Sequence, residues 1–129
     1  MARRSEARRA KDRADALFSK IVRARGACQR CGESTYSKLQ CAHIIRREFV
    51  ATRCELTNAW CLCAGCHMHT HHWPEEHVAM IERTIGLDAY WKLKQRANAN
   101  NRTYRASDWE EIIEGLQAHE GWKRMRGLA

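Results

Sequence analysis

From Ser5 to Arg25 the stretch SEARRAKDRADALFSKIVRAR lacks Gly and Pro, is rich in Ala and Arg, and brings Leu17, Phe18, Ile21 and Val22 to one side. That spacing predicts an amphipathic helix stopping near Gly26. Its front half carries no large apolar residue and is expected to fray. Next, CQRCG reads as a tight knuckle in which Gly32 is free to take a positive φ. The β-type residues and rough alternation of KLQCAHII, Lys38 to Ile45, predict a strand, and the polar RREFVATRCELTN then connects to a second short apolar run, AWCLC. AGCHMHTHH follows as a turn into a helix, which Pro74 ends. Beyond it, Val78, Met80, Ile81 and Ile85 fall on helical spacing up to Gly86, and Leu87, Tyr90, Trp91 and Leu93 repeat the pattern. NANNRTYRA reads as a loop. A last helix is expected with Ser107 as N-cap and Glu110 three residues on. The order predicts a small α+β fold in three regions: a basic N-terminal helix or arm (1–25), a knuckle-bearing core (26–74) and a C-terminal helical region (75–129).

Hydrophobic residues make up 44% of the 129 positions but aromatics only 8%, so the core is modest and an extra staple is expected. Seven cysteines are an odd number, and no apolar run resembles a signal peptide. A reduced, cytoplasmic setting with metal-bound thiolates therefore fits better than a disulfide framework. With no run of eighteen apolar residues, no membrane span is expected.

Cys28-x-x-Cys31 and Cys63-x-x-Cys66 are two identical pairs, each with a glycine near its turn. Two such pairs supply the four thiolates of a tetrahedral structural zinc. The 31 residues between them exceed the usual finger spacing, so the insert must fold back as a hairpin. A redox pair of the thioredoxin type is the alternative for a single CxxC, but no βαβ pattern accompanies these. Cys41, Cys54 and Cys61 read as small buried hydrophobes, with Cys61 a substitute ligand if it shares the face of Cys63.

Charge is unevenly placed within the formal +8. Residues 1–30 hold ten basic against three acidic side chains, a net of +7. Such a segment suits a polyanion, because each cation set on a phosphate releases counterions. Arg3, Arg4, Arg8 and Arg9 are the leading candidates for nucleic-acid contact, with a merely solvated helix face as the alternative.

His67 directly follows Cys66, and His71 is four residues later. On a helix starting at the knuckle the two share a face, the spacing by which two imidazoles grip one divalent ion. His69, His72, His77 and His119 read as ordinary solvated histidines. His43, in the strand of the insert, is either a satisfied core residue or a general base near neutral pH. Asn58 is either a turn residue or a cross-link through its two donors and its carbonyl.

Taken together, CQRCG, LQCAHIIRR and LTNAWCLCAGCH resemble the HNH (ββα-metal) nuclease superfamily from Cys28 to about His71. The double CxxC is similar to that of phage Holliday-junction resolvases of the endonuclease VII type. More loosely, the run from FSKIVRARG through HHWPEE and GLDAYWKLKQRA to WEEIIEGL looks like small phage recombination proteins of the NinG kind. The resemblance implies a ββα-metal core with a structural Zn²⁺, flanked by the N-terminal helix and the C-terminal helices. It implies metal-dependent hydrolysis of DNA phosphodiesters, by nicking or double-strand cleavage, in a phage recombination or packaging machine and hence in host cytoplasm.

His43, Asn58 and His67 match the three signature positions. The resemblance makes His43 the general base, oriented by the hairpin around Asn58, and makes His67 a ligand of one Mg²⁺, Mn²⁺, Zn²⁺ or Ni²⁺ ion. Arg46 and Arg47 become candidate phosphate clamps. One departure stands out: the position before the base, usually Asp or His, is Ala42, which ligates nothing. Either His71 or Cys41 supplies the missing ligand, or His43 itself binds the ion and another group is the base; the helical spacing favours His71. A catalytically inactive, zinc-stabilised DNA-binding adaptor is the rival expectation.

Overall fold

A computed structural model describes residues 5–100 and 102–119. Arg3, Arg4 and Trp122 lie outside these. Helix α1 (Glu6–Arg23) leads through a glycine knuckle to strand β1 (Leu39–His43), and a connection with two 3₁₀ turns reaches β2 (Ala59–Cys63). Helices α2 (Ala64–His72), α3 (Pro74–Thr84), α4 (Leu87–Ala99) and α5 (Ala106–Gln117) complete a small mixed α+β fold.

Ser5 caps α1 by accepting from the Arg8 N–H at 3.1 Å, and Gly26 leaves the helix at φ +88°. Ala10, Ala14, Phe18, Ile21 and Val22 form its buried ladder. The front half, expected to fray, instead packs against α5, because Ala10 and Ala14 let Trp109 approach and all three are buried. Burying one such indole removes about 200 Å² from water, an upper bound of about 5 kcal/mol. Arg13 pairs with Glu110 at the edge of this seam.

The strands pair antiparallel, with Cys41 opposite Cys61 and Ala42 opposite Trp60. Trp60, Leu62 and Cys61 are fully buried and form the main core with Phe18, Val22, Met80 and Ile81. Trp60 is anchored by its indole N–H, which donates to Thr84 Oγ1 at 2.8 Å. Arg25 braces the entry to β2 by donating to the carbonyls of Leu56 and Ala59 at 2.8 and 2.7 Å.

The connection 44–58 is organised by hydrogen bonds more than by apolar contacts. Asn58 is fully buried; its Oδ1 accepts from the Ile45 N–H at 2.7 Å, and its Nδ2 donates to the carbonyls of Ile45 and Thr52 at 3.1 and 3.0 Å. One side chain thus replaces the ladder that the loop lacks.

Two expectations for the C-terminal helices change. Helix α5 starts at Ala106 with Arg105 at the cap, two residues before the expected Ser107, because Asp108 takes the place of Glu110: its carboxylate accepts from the Arg105 N–H at 2.8 Å and grips Arg102 through both oxygens. Leu93 is buried as expected, but Leu87 and Trp91 stay exposed, since α4 turns Ala97 inward beside Leu93. Among the described residues no helix is long and apolar enough to cross a membrane.

The close α1–α5 approach predicts that Ala14→Leu overpacks the seam and lowers urea-unfolding stability by about 1–3 kcal/mol. Ala16→Leu, on the exposed side of the same helix, should change it by less than about 0.5 kcal/mol.

Candidate functional site

The two CxxC pairs meet where the chain leaves α1 and where β2 becomes α2. Each turn has a local cause. In the first, Gly32 at φ +85° lets its N–H reach the Cys28 carbonyl at 2.9 Å, and the Cys31 N–H points at Cys28 Sγ at 3.5 Å. In the second, Cys63 is the N-cap of α2, so Cys66 lies one turn inside the helix.

The sulfurs of Cys28, Cys31, Cys63 and Cys66 all lie within 4.8 Å of one another, and Cys31 and Cys63 are 3.7 Å apart. A tetrahedral zinc with bonds of about 2.3 Å spaces its sulfurs about 3.8 Å apart, so the four could hold a zinc ion. Cys61 is not among them: it is fully buried in the core, opposite Cys41. Their acidities express the crowding. Burial raises the Cys28 thiol, but N–H groups of Cys31, Cys63 and Arg30 outweigh it and bring it down to about 6. Cys66 is pushed up to about 12 by burial and by the neighbouring thiols, against the Arg30 guanidinium that donates to it. A cation among the four would balance their charge as thiolates.

A cleft of about 520 Å³ lies among α1, β1, the connection after it and α2. His43 and Cys41, two apart on β1, share its wall, while Ala42 between them faces the core at 2% exposure. His67 and His71 enter from α2, and Arg46 and Arg47 from the connection. The cleft therefore gathers six of the residues singled out by spacing or resemblance. Asn58 lies beneath it as the buried staple of the connection, and Arg8 lies elsewhere on α1.

Tautomers follow from the hydrogen bonds. His43 Nε2 donates to the Arg53 carbonyl at 2.8 Å, which leaves Nδ1 as the lone-pair nitrogen. Burial lowers its pKa, Arg47 and Arg53 push the same way, and the accepting carbonyl and Asp15 oppose. His67 Nδ1 donates to Gln40 Oε1 at 2.8 Å, which leaves Nε2 open; burial and then His71 lower its pKa. Burial thus favours the neutral form of both rings, the form that a base or a metal ligand needs. Cys41 is pushed up to about 11 by burial and stays a thiol there, a weaker ligand than His71. Among the described residues, no other three His, Cys, Asp or Glu ligand atoms come as close together as the four sulfurs. His67 and His71 line the same cleft, but no third ligand atom of these types joins them in such a cluster.

Sequence reasoning missed Asp15 and Arg53. Arg53 reaches both carboxylate oxygens of Asp15 at 2.7 Å and donates to the Arg47 carbonyl at 3.0 Å, while its own carbonyl takes the His43 proton. Helix α1 thereby fixes the loop that fixes the imidazole. The only hint in the chain was an acid within a basic helix. Two of the four histidines expected to be solvated are not: His77 packs edge-on against Trp60 at 5.1 Å, and His69 is half-buried with its Nε2 lacking a hydrogen bond. His72 and His119 are exposed.

Compared with protein families, curated proteins and solved structures, the chain matches none.

Two outcomes are expected. The purified chain should carry one zinc, and 1,10-phenanthroline should remove it with loss of helical circular dichroism, since such sites contribute about 10–16 kcal/mol of binding free energy to folding; helicity unchanged after removal would contradict a structural role. Asp15→Asn should cost about 2–4 kcal/mol in urea unfolding, because Arg53, with 11% of its side chain exposed, keeps its charge but loses its partner's.

Proposed function

We propose that the protein is a metal-dependent endonuclease that hydrolyses DNA phosphodiester bonds in the cleft between β1 and α2. The observation that carries this reading is the convergence of a neutral His43 with one free nitrogen, a His67–His71 edge and two arginines on one cavity. His43 Nδ1 accepts a proton from the attacking water, and its bond to the Arg53 carbonyl keeps the ring aimed as it does so. Arg47 faces the phosphate from a backbone that Arg53 holds. Arg46 is paired with Glu48 at 2.6 Å, an exposed contact weak enough to exchange for a phosphate oxygen. Asn58 acts on the geometry alone, by closing the connection that carries both arginines. His67 and His71 would hold a divalent ion such as Mg²⁺, Mn²⁺, Ni²⁺ or Zn²⁺, which when bound supplies charge neutralisation at the scissile phosphate and the departing oxygen.

A second reading, a zinc-stabilised DNA-binding adaptor without catalysis, is favoured by one observation: Ala42 faces the core and leaves the ion only two histidines. Supercoiled plasmid separates the two. Incubation with Mg²⁺, Mn²⁺ or Ni²⁺ should produce nicked or linear DNA, and His43→Ala should slow this by about 10²–10⁴-fold. Equal, slow conversion by both proteins with every ion would establish the adaptor.

The acid limb of the rate profile follows from the same imidazole. The neutral ring is the base, so activity is present above its pKa in the folded protein and lost as the pH falls through it. Burial lowers that pKa, which places the midpoint below about 6.5, the value of a free imidazole. A midpoint above that value would remove His43 from the role.

A further inference from the structure

A second groove, of about 540 Å³, lies between the first turns of α1 and the segment joining α4 to α5. Arg8 and Lys11 form one wall; Arg102, Tyr104 and Trp109 form the other, with Val50 as floor. No carboxylate lines it. Arg102 is held in place, with its guanidinium bound by both oxygens of Asp108 and stacked over the Tyr104 ring at 4.4 Å.

The basic side chains near α1 divide by what they touch. Arg13 pairs with Glu110, Arg23 lies over the Tyr36 ring, Arg25 braces backbone carbonyls and Arg30 donates to Cys66. Among the described residues Arg8 and Lys11 make no ion pair, and these two face the groove. Uncompensated cations above apolar walls concentrate positive potential where an anion would enter.

The groove is in line with the cleft. Lys11, Asp15 and Ser19 follow one another at i, i+4 on one stripe of α1; Lys11 lines the groove, and Asp15 and Ser19 line the cleft. Along the helix axis, Arg8 is about 10 Å from Asp15 and about 16 Å from Ser19. One DNA strand advances about 3.4 Å per nucleotide, so this span corresponds to about three to five nucleotides.

We propose that this groove is a second phosphate subsite, which holds the DNA backbone about three to five nucleotides from the phosphate in the cleft. The proposal rests on the reading that the cleft takes a phosphodiester, and it makes the substrate a continuous strand extending beyond the cut. Arg8 and Lys11 supply the charge, and the fixed Arg102 and Tyr104 shape the far wall.

The test measures fluorescence anisotropy of a labelled duplex binding to the zinc-loaded full chain carrying His43→Ala, so that binding is read without cleavage. Salt is varied from about 50 to 200 mM. Adding Arg8→Gln and Lys11→Gln should make the slope of log K against log salt shallower by about 1.8, so that the loss of affinity is about tenfold larger at about 50 mM than at about 200 mM, the effect of two lost phosphate contacts. Lys11→Arg should restore its share. Arg8 is exposed and Lys11 half-buried, and an unchanged thermal melt confirms that folding is intact. An unaltered slope in the double variant overturns the proposal. Arg46→Gln with Arg47→Gln is the parallel arm for the cleft: a slope that falls there but not in the groove variant withdraws the groove alone. A slope that falls in the groove variant but not there leaves the groove as a phosphate site and withdraws the cleft reading.

Discussion

Four sulfur atoms within 4.8 Å of one another set the terms for the rest of the chain. Each comes from a turn that local chemistry can build, but thiols at that spacing repel as they ionise. A divalent cation held there would remove the repulsion and tie residue 28 to residue 66 across the hairpin. Everything between those positions is then bounded at both ends. The constraint also sets where α2 begins, because Cys63 is its cap and Cys66 its first inward residue. His67, next in sequence, is turned about 100° from Cys66 by the pitch of the helix and lines the cleft instead.

Within that clamp, polar groups organise the connection 44–58. Asn58 satisfies three backbone groups from inside it, and Arg53 ties it to Asp15 on α1. Such buried polar networks are costly when half made, so they admit one arrangement and hold it. The proposed general base hangs from this network through a single carbonyl. The position of His43 therefore depends on α1, a helix that composition alone presents as a charged appendage.

The basic character of that helix also divides. Some of its cations are committed to folding: Arg23 stacks on an aromatic ring and Arg13 pairs with α5, while Arg25 just beyond it braces carbonyls. Those left on the groove side of the first turns are available to a ligand. Net charge reports the total, whereas geometry decides which charges a polyanion can reach.

Periodicity and spacing reach only as far as a few residues. From the sequence alone one reads the two knuckles, the shared face of His67 and His71, the helix boundaries at Gly26, Pro74 and Gly86, and the mixed α+β class, because each depends on neighbours within about one helical turn. Only the tertiary structure decided that Ala10 and Ala14 are an interface, since two small residues become one when Trp109, almost a hundred positions away, descends on them. The same holds for the Asp15–Arg53 bridge, for the burial of His77 against Trp60 and for the exposure of Trp91. An ion pair or an aromatic contact leaves no pattern along the chain when its partners are brought together by folding. The sequence by itself determined which local turns and faces exist, and packing determined which of them meet.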